Sequence, residues 1–379
     1  METIQGSELM GRIHTKTTGL REIAKALGVS TGTVDRALHG KPGVSPMTRL
    51  RVLSMAQTMH YRPNLAARAL SSRKVVSIAV TLPKTNCSFF DDVCNGIEDA
   101  ATASQDPRLR ILVRRYPWTC EAEVEVFEAA LGDEVNALII SPGSPARLKP
   151  LIREAAKRHI PVLCVTTDAP RTDRLTSVCI DHIVSGSLAA ELIGQLLSGD
   201  GSVLLVTGNR TIIDHADKIK GFERCTRSMF PAMHIAGVVE DHESEDESYE
   251  KCKAALLADR TIKGVYATTS NSVPILRALD ELGLAKRLKV VTTDVFPEIV
   301  AALRSGVVTA TIHQKPFDQG RIAFHTVYRF LSENICPHAR IRLAPDIVLR
   351  SNLEIFLAQG RHHLLPTPVP SYDTVAAIA

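Results

Sequence analysis

The sequence predicts an N-terminal all-α helix-turn-helix head followed by a larger α/β body of two doubly wound parallel-sheet lobes. Three observations carry this reading. Near the N-terminus, two short apolar stripes at helical spacing (Ile23, Ala24, Leu27 and Val34, Ala37, Leu38) flank Gly28. From Lys74 on, apolar strand-like runs alternate with amphipathic helical runs in two successive series. Charge is unevenly divided: residues 1–74 hold 12 Lys/Arg against 4 Asp/Glu, whereas the rest hold 33 against 37.

The run Leu20–Leu38 reads as two helices joined by a tight turn, with Gly28 stopping the first and the Ser30 hydroxyl capping the second. Helices crossing over such a turn place the second in the DNA major groove. An ordinary helical hairpin at a domain edge has the same pattern. The basic excess favours DNA, because cations displace the counterions condensed on phosphates. Ser45-Pro46 opens a third helix, with Leu50, Leu53, Met55 and Ala56 expected to close a three-helix core. Tyr61-Arg62-Pro63 ends it. Asn64 then caps a helix-capable segment, 64–70, too short to be stable alone.

These motifs in this order, with Gly43-Val44-Ser45-Pro46-x-Thr48-Arg49 and Ala66-Ala67-Arg68-Ala69-Leu70 between Leu20 and Leu70, resemble the head of the LacI (lactose repressor) family of bacterial transcription regulators. The resemblance implies that Thr31, Gly32, Thr33 and Arg36 meet base edges and phosphates. It implies that Ser45 holds a phosphate, that Asn64 opens a hinge helix, and that Leu70 wedges into the minor groove. Arg36 can grip guanine O6 and N7. Two positions depart from the family: Gly32 lacks a side chain, and Asp35 replaces a small hydroxyl. Asp35 would be repelled by phosphate unless it accepts from a cytosine amine or pairs with Arg36 or Arg21. The expected organisation is a flexible N-terminus over 1–16, the head over 17–63, a hinge over 64–73, a two-lobed body over 74–358 and a flexible tail over 359–379. Lobe 1 is expected to comprise about 74–176 and 308–335, and lobe 2 about 177–307 and 336–358.

In the body, strands are expected at 75–80, 109–113, 137–140 and 161–165, then at 177–180, 202–206, 234–239, 263–267 and 288–292. Helices lie between most of them. Two βαβ series imply a ligand cleft beyond the strands' C-terminal ends. The body resembles the same family's sensor, which shares its fold with type I periplasmic sugar-binding proteins. That resemblance places Asn86-x-Ser88-Phe89-Phe90, Asp168, Lys218, Asn271, Asp294 and Gln314 at the ligand. Lys218 stands in a segment that usually presents an arginine, and Asp181 heads the second lobe. Carboxylates and amides suit vicinal hydroxyls, and an aromatic face covers a sugar's C–H side. An Asp after a strand is as often a helix cap, and Phe89 or Phe90 could equally be core. Arg114, Arg115 and Lys218 leave a sugar acid or phosphate open beside a neutral sugar or polyol. Trp118 could rim the cleft or pack.

A chain of 379 residues exceeds one core. Forty-five per cent apolar composition without an uninterrupted apolar span, and a polar start, indicate neither a membrane segment nor a secretory signal. The eight cysteines contain no C-x-x-C pair and read as free thiols, so neither disulfides nor a zinc site is expected. The run 240–247 reads as a solvated acidic loop capping the next helix, not as a metal cluster. No nucleotide, nucleophile-elbow or zinc-protease motif is found, so no enzyme activity and no cofactor are expected. The resulting reading is a cytoplasmic, ligand-responsive regulator, most often a repressor in this family. It would bind a pseudo-palindromic DNA operator as a homodimer. A soluble sugar-binding transport or chemotaxis receptor is the alternative.

Overall fold

In the computed structural model, the structure describes residues 20–38, 41–59, 75–84, 87–117 and 122–359. Expectations for 1–16, for Asn64, Leu70 and the hinge, for Asn86, for Trp118 and for the chain beyond Gln359 lie outside these residues. The chain divides into two compact units, one of residues 1–74 with 105–108 and one of residues 75–104 with 109–379.

The first unit holds three helices, α1 (Leu20–Leu27), α2 (Thr31–Leu38) and α3 (Pro46–Thr58). Gly28 takes φ +67° and ends α1, while Val29 N–H reaches back to the Ala24 carbonyl at 3.1 Å. Ser30 Oγ accepts the Thr33 N–H at 3.0 Å, the expected cap of α2. Ile23, Ala24, Val34, Ala37, Val52 and Ala56 form the core. Leu50 and Leu53 do not close it as expected; they are 64% and 44% exposed. Val52 and Ala56, four residues apart, set the inward face of α3, and Leu50 and Leu53 lie off it.

The second unit contains two sheets of six strands. The first has the order β11-β5-β4-β3-β1-β2, all parallel. Its strands are β1 (Val76–Pro83), β2 (Leu109–Tyr116), β3 (Ala137–Ile140), β4 (Val162–Val165), β5 (Thr176–Ile180) and β11 (Ile341–Leu343). Val80 of β1 sits between Val113 and Ile139. The helices are α4 (Cys87–Ala103), α5 (Glu123–Gly132), α6 (Pro145–Lys157) and α12 (Pro316–Glu333).

The second sheet has the order β12-β10-β9-β8-β6-β7, parallel except that β12 runs against β10. Its strands are β6 (Gly201–Thr207), β7 (Met233–Glu240), β8 (Ile262–Ala267), β9 (Lys289–Thr293), β10 (Ala310–His313) and β12 (Asp346–Val348). Its helices are α7 (His182–Leu196), α8 (Ile213–Met229), α9 (Glu245–Ala258), α10 (Val273–Glu281), α11 (Pro297–Ser305) and α13 (Leu353–Gln359). The near-continuous burial of β3, β4, β6 and β10 follows from helices on both faces.

The lobe boundaries differ from expectation. β5 belongs to lobe 1, since Cys164 of β4 registers with Ser177. β10 belongs to lobe 2, since Ile312 registers with Thr293 of β9. β11 returns to lobe 1 beside β5. The chain therefore crosses between lobes at Asp181, at 314–315 and at 344–345. No helix separates β4 from β5, and that missing helix is the sign that one series had not yet ended.

One helix pair in each lobe packs at backbone distance. A Cβ on Gly96 of α4 would lie 2.0 Å from the Phe317 carbonyl oxygen, and one on Gly320 of α12 would lie 2.1 Å from that of Val93. Gly186 of α7 and Gly221 of α8 face the carbonyl oxygens of Lys218 and Ile183 at 1.8 and 2.0 Å in the same way.

Candidate functional site

In the head, α2 exposes Thr31, Gly32 and Arg36 and buries Val34 and Ala37. Thr33 is half-buried, its hydroxyl 2.9 Å from Ser30 Oγ. A Cβ at Gly32 would meet nothing nearer than Ser30 Oγ at 3.8 Å, so the fold leaves that position open. Asp35 forms an ion pair with Lys41 Nζ at 2.9 Å, a partner absent from the sequence reading. Ser45 is the N-cap of α3: its Oγ accepts from Thr48 N at 3.2 Å and lies 2.8 Å from Thr48 Oγ1. An exposed polar face on a helix held by a small apolar core is the geometry that enters a major groove.

In the body, a cavity of about 50 Å3 lies between the lobes. Lobe 1 contributes Phe89, Phe90, Ser141, Pro142, Thr166 and Thr167, and lobe 2 contributes Ile212, Asp214, His215, Lys218, Glu243, Thr269 and Ser270. Gln314 adds a side chain from the second crossing. Of the sequence-named ligand residues, Phe89, Phe90, Lys218 and Gln314 line the cavity. Phe89 and Phe90 meet edge to face, ring centres 5.1 Å apart.

The other four are placed elsewhere. Ser88 is exposed in the first turn of α4. Asp168 is clasped by Arg174, whose Nη2 lies 2.8 Å away and whose Nε is also bonded to it, with Arg340 at 3.4 Å. Asn271 Nδ2 donates to Asp241 Oδ2 at 3.0 Å and to the Ser244 carbonyl at 3.2 Å. Asp294 accepts the Gln314 N–H and amide Nε2–H. Asp181 caps α7 by accepting from Val184 N at 3.1 Å, and Arg342 bonds its other oxygen. Arg114 pairs with Asp133 at 2.6 Å and Arg115 with Asp91. Neither arginine lines the cavity.

Lobe 1 presents an ordered hydroxyl wall. Tyr116 OH donates to the Ser141 carbonyl at 2.7 Å, and Ser141 Oγ lies 2.7 Å from Thr166 Oγ1. The Thr166 carbonyl accepts from His182 Nε2 at 3.0 Å, which joins the lobes beside the first crossing. Burial drops the His182 pKa to about 4, so the ring is neutral and Nδ1 keeps its lone pair. Thr167 Oγ1 is buried without a hydrogen-bond partner among the described residues.

Lobe 2 presents charge. Asp214, His215 and Lys218 stand at i, i+1 and i+4 on α8, one face of its first turns. Lys218 is 1% exposed, and its Nζ donates to the Thr268 carbonyl at 2.9 Å. Burial pushes the Lys218 pKa down against the pull of Asp214, Asp294 and Glu243. Burial alone would push Asp214 up; His215, His182 and Lys218 more than reverse this and hold it below the usual carboxylate range. His215 Nε2 lies 3.7 Å from Asp214 and 3.9 Å from Glu243. Gly208 makes room for this: a Cβ there would lie 2.7 Å from the His215 ring and 2.9 Å from Glu243 Cγ. Burial raises Asp241 and Asp294, below the wall, to about 6.

Asp214, His215 and Glu243 were missed as ligand candidates. Their signals were position beside Lys218 on one helix face and position beyond the C-terminal end of β7. The acidic run does cap α9, through Ser244 Oγ and Glu247 N at 3.4 Å. Its member Glu243 also turns into the cleft. Among the described residues, no group of His, Cys, Asp and Glu is arranged to hold a metal ion.

A basic head that exposes a recognition-type helix, joined to a two-lobed body with a polar cleft, defines a ligand-responsive DNA-binding regulator. Residues 19–64 match the bacterial regulatory proteins of the lacI family, and residues 78–334 match the periplasmic binding protein domain. The chain belongs to the lacI family of regulators, with a periplasmic-binding-protein-like body. Catabolite control protein A of Priestia megaterium is 24% identical over 343 residues, 87% of this chain and 98% of that protein. The HTH-type transcriptional regulator DegA of Bacillus subtilis is 27% identical over 224 residues, 59% of this chain and 62% of that protein. A solute-binding protein from Burkholderia graminis, solved in complex with D-arabinose, superposes with a TM-score of 0.69 at 22% identity, covering 74% of this chain and 98% of that one. GanP, a glucose-galactose binding protein from Geobacillus stearothermophilus, superposes with the same score at 20% identity, over 74% of this chain and 99% of that one. At these identities the solved structures establish the fold of the body.

Proposed function

We propose that the protein binds a pseudo-palindromic operator as a homodimer in the cytoplasm and that a sugar-like effector in the interlobe cleft sets its affinity. Arg36 reads guanine from the exposed face of α2, beside Thr31, Gly32 and Thr33. The hydroxyl of Ser45 takes a phosphate, Asn64 opens the hinge and Leu70 enters the minor groove. The observation that carries the reading is the union in one chain of a basic helix-turn-helix head and a cleft walled by hydroxyls, an aromatic pair and a buried lysine. Solved neighbours of the body hold D-arabinose and myo-inositol, which suits such walls. The chemistry is recognition; the reading includes no catalytic step.

Effector occupancy alters how the lobes are disposed about their three crossings, a coupling of about 1–3 kcal/mol. The cavity is far below the ~300 Å3 from which small-molecule sites usually start, so sugar entry requires the lobes to part. The test is selection of a preferred duplex from a random pool, followed by titration at fixed salt with Arg36→Ala. The variant should lose ~1–3 kcal/mol of discrimination while keeping nonspecific affinity. An unchanged preference removes Arg36 from the interface, and no preferred duplex for the wild type removes the regulator reading.

A further inference from the structure

We propose that the effector carries a protonated nitrogen beside its hydroxyls: an amino sugar or amino polyol whose ammonium sits against Asp214 and Glu243. The inference rests on the interlobe cleft being the effector site and goes on to its chemical class.

Charge makes the first argument. The cleft walls carry two carboxylates, Asp214 and Glu243, and one lysine, Lys218. Behind them stand Asp241 and Asp294, both buried. Even a protonated His215 would only balance the wall. Arg114 and Arg115, the cations that could have served an anionic effector, are paired to Asp133 and Asp91 away from the cavity. A further anion brought into this low-dielectric space is repelled, and a cation is attracted.

Unmet hydrogen bonds make the second. The Asp214 carboxylate accepts from its own backbone N–H but from no side chain among the described residues; the His215 ring stops short, with Nε2 at 3.7 Å. An ionised carboxylate accepts only, so it needs donors, and an ammonium brings three. Thr167 Oγ1, on a residue 6% exposed, has no hydrogen-bond partner among the described residues and belongs to the lobe 1 wall, where a ligand hydroxyl would meet it. Lys218 spends one N–H on Thr268 and has others for a ligand oxygen. Phe89 and Phe90 line the same cavity from lobe 1, and an aromatic surface attracts a cation.

The test uses matched probes on the full-length protein. D-glucosamine, N-acetyl-D-glucosamine, D-glucose and D-gluconate are compared by calorimetry and thermal shift, with the galactose series and the amino-alditol series alongside. In at least one series the amine binds about tenfold or more tighter than its neutral, acetylated and acidic counterparts. Asp214→Asn and Glu243→Gln each erase that preference. The acetylated probe removes the charge without touching the protein, so the test survives a variant that folds poorly. Equal or tighter binding of the neutral, acetylated or acidic member overturns the proposal, as does an undiminished preference in both variants or no binding by any amine. Operator selection by the free protein is read separately and is indifferent to these outcomes.

Discussion

Asp294 accepts two hydrogen bonds from Gln314, one from the backbone N–H at 2.9 Å and one from side-chain Nε2 at 2.6 Å. The pair ties the end of β9 to the residue at which the chain leaves β10 for lobe 1. Burial holds the Asp294 carboxyl up at about 6, from an ordinary 3.8. A carboxyl with a higher pKa folded than unfolded takes up a proton on folding between those values. It therefore costs nothing below pH 3.8, becomes a growing cost as pH rises to about 6, and is a constant cost above that. Asp241, also raised to about 6, adds to the same limb. Urea unfolding from pH 4 to 7.5 should show a decline of about 2 kcal/mol from Asp294, shallower in Asp294→Asn. Identical slopes would assign the titration elsewhere.

Asp168 should behave as a framework residue. Arg174 and Arg340 hold its carboxylate outside the cavity walls. Asp168→Asn should cost about 3 kcal/mol, because it leaves Arg174, whose side chain is 9% exposed, without its charge partner. Ligand selectivity of the surviving folded protein should not move. A selectivity change with an unaltered melting temperature would return Asp168 to the ligand.

Gly208 should be intolerant of any side chain. A methyl there would lie 2.7 Å from the His215 ring and must push it and Glu243 aside. Gly208→Ala is expected to weaken effector binding at least tenfold while secondary structure by circular dichroism stays intact. Wild-type affinity in that variant would show that the two side chains have room to spare.

Ser45→Ala separates stability from DNA contact in the head. Loss of its cap on α3 should cost about 1 kcal/mol of head stability. Ser45→Asp restores a capping oxygen but sets a negative charge against phosphate. It should recover the melting temperature and still bind duplex more weakly. Equal DNA binding by both variants would limit Ser45 to its helix.

The alternation of apolar and amphipathic runs made most elements of 75–293 legible, because the central strands are buried on both faces and the helices on one. The return segments were not. β11 and β12 are three residues long and only partly buried, too short for period or length to betray them, and β10 follows α11 outside the regular series. In the head, the Ile23 and Val34 stripes were read correctly, while Leu50 and Leu53 misled because hydrophobicity alone does not say which face of α3 turns inward. In the cleft, Lys218 and Gln314, named through the resemblance, line the cavity. The resemblance could not show that Asp168 had a nearby arginine or that Asn271 would be used by Asp241. Those pairings join residues 6 and 30 apart and exist only once the loops are folded.

The glycine contacts between α4 and α12, and between α7 and α8, leave no slack for one helix to slide along the other. Each half of the receptor is in effect a solid plate. Whatever a ligand does must then be transmitted as torque through three thin straps of chain, at 181, 314–315 and 344–345. Stiffening or loosening the strap at 344–345, which contributes no residue to the cavity walls, would retune the output without reshaping the surface the ligand touches.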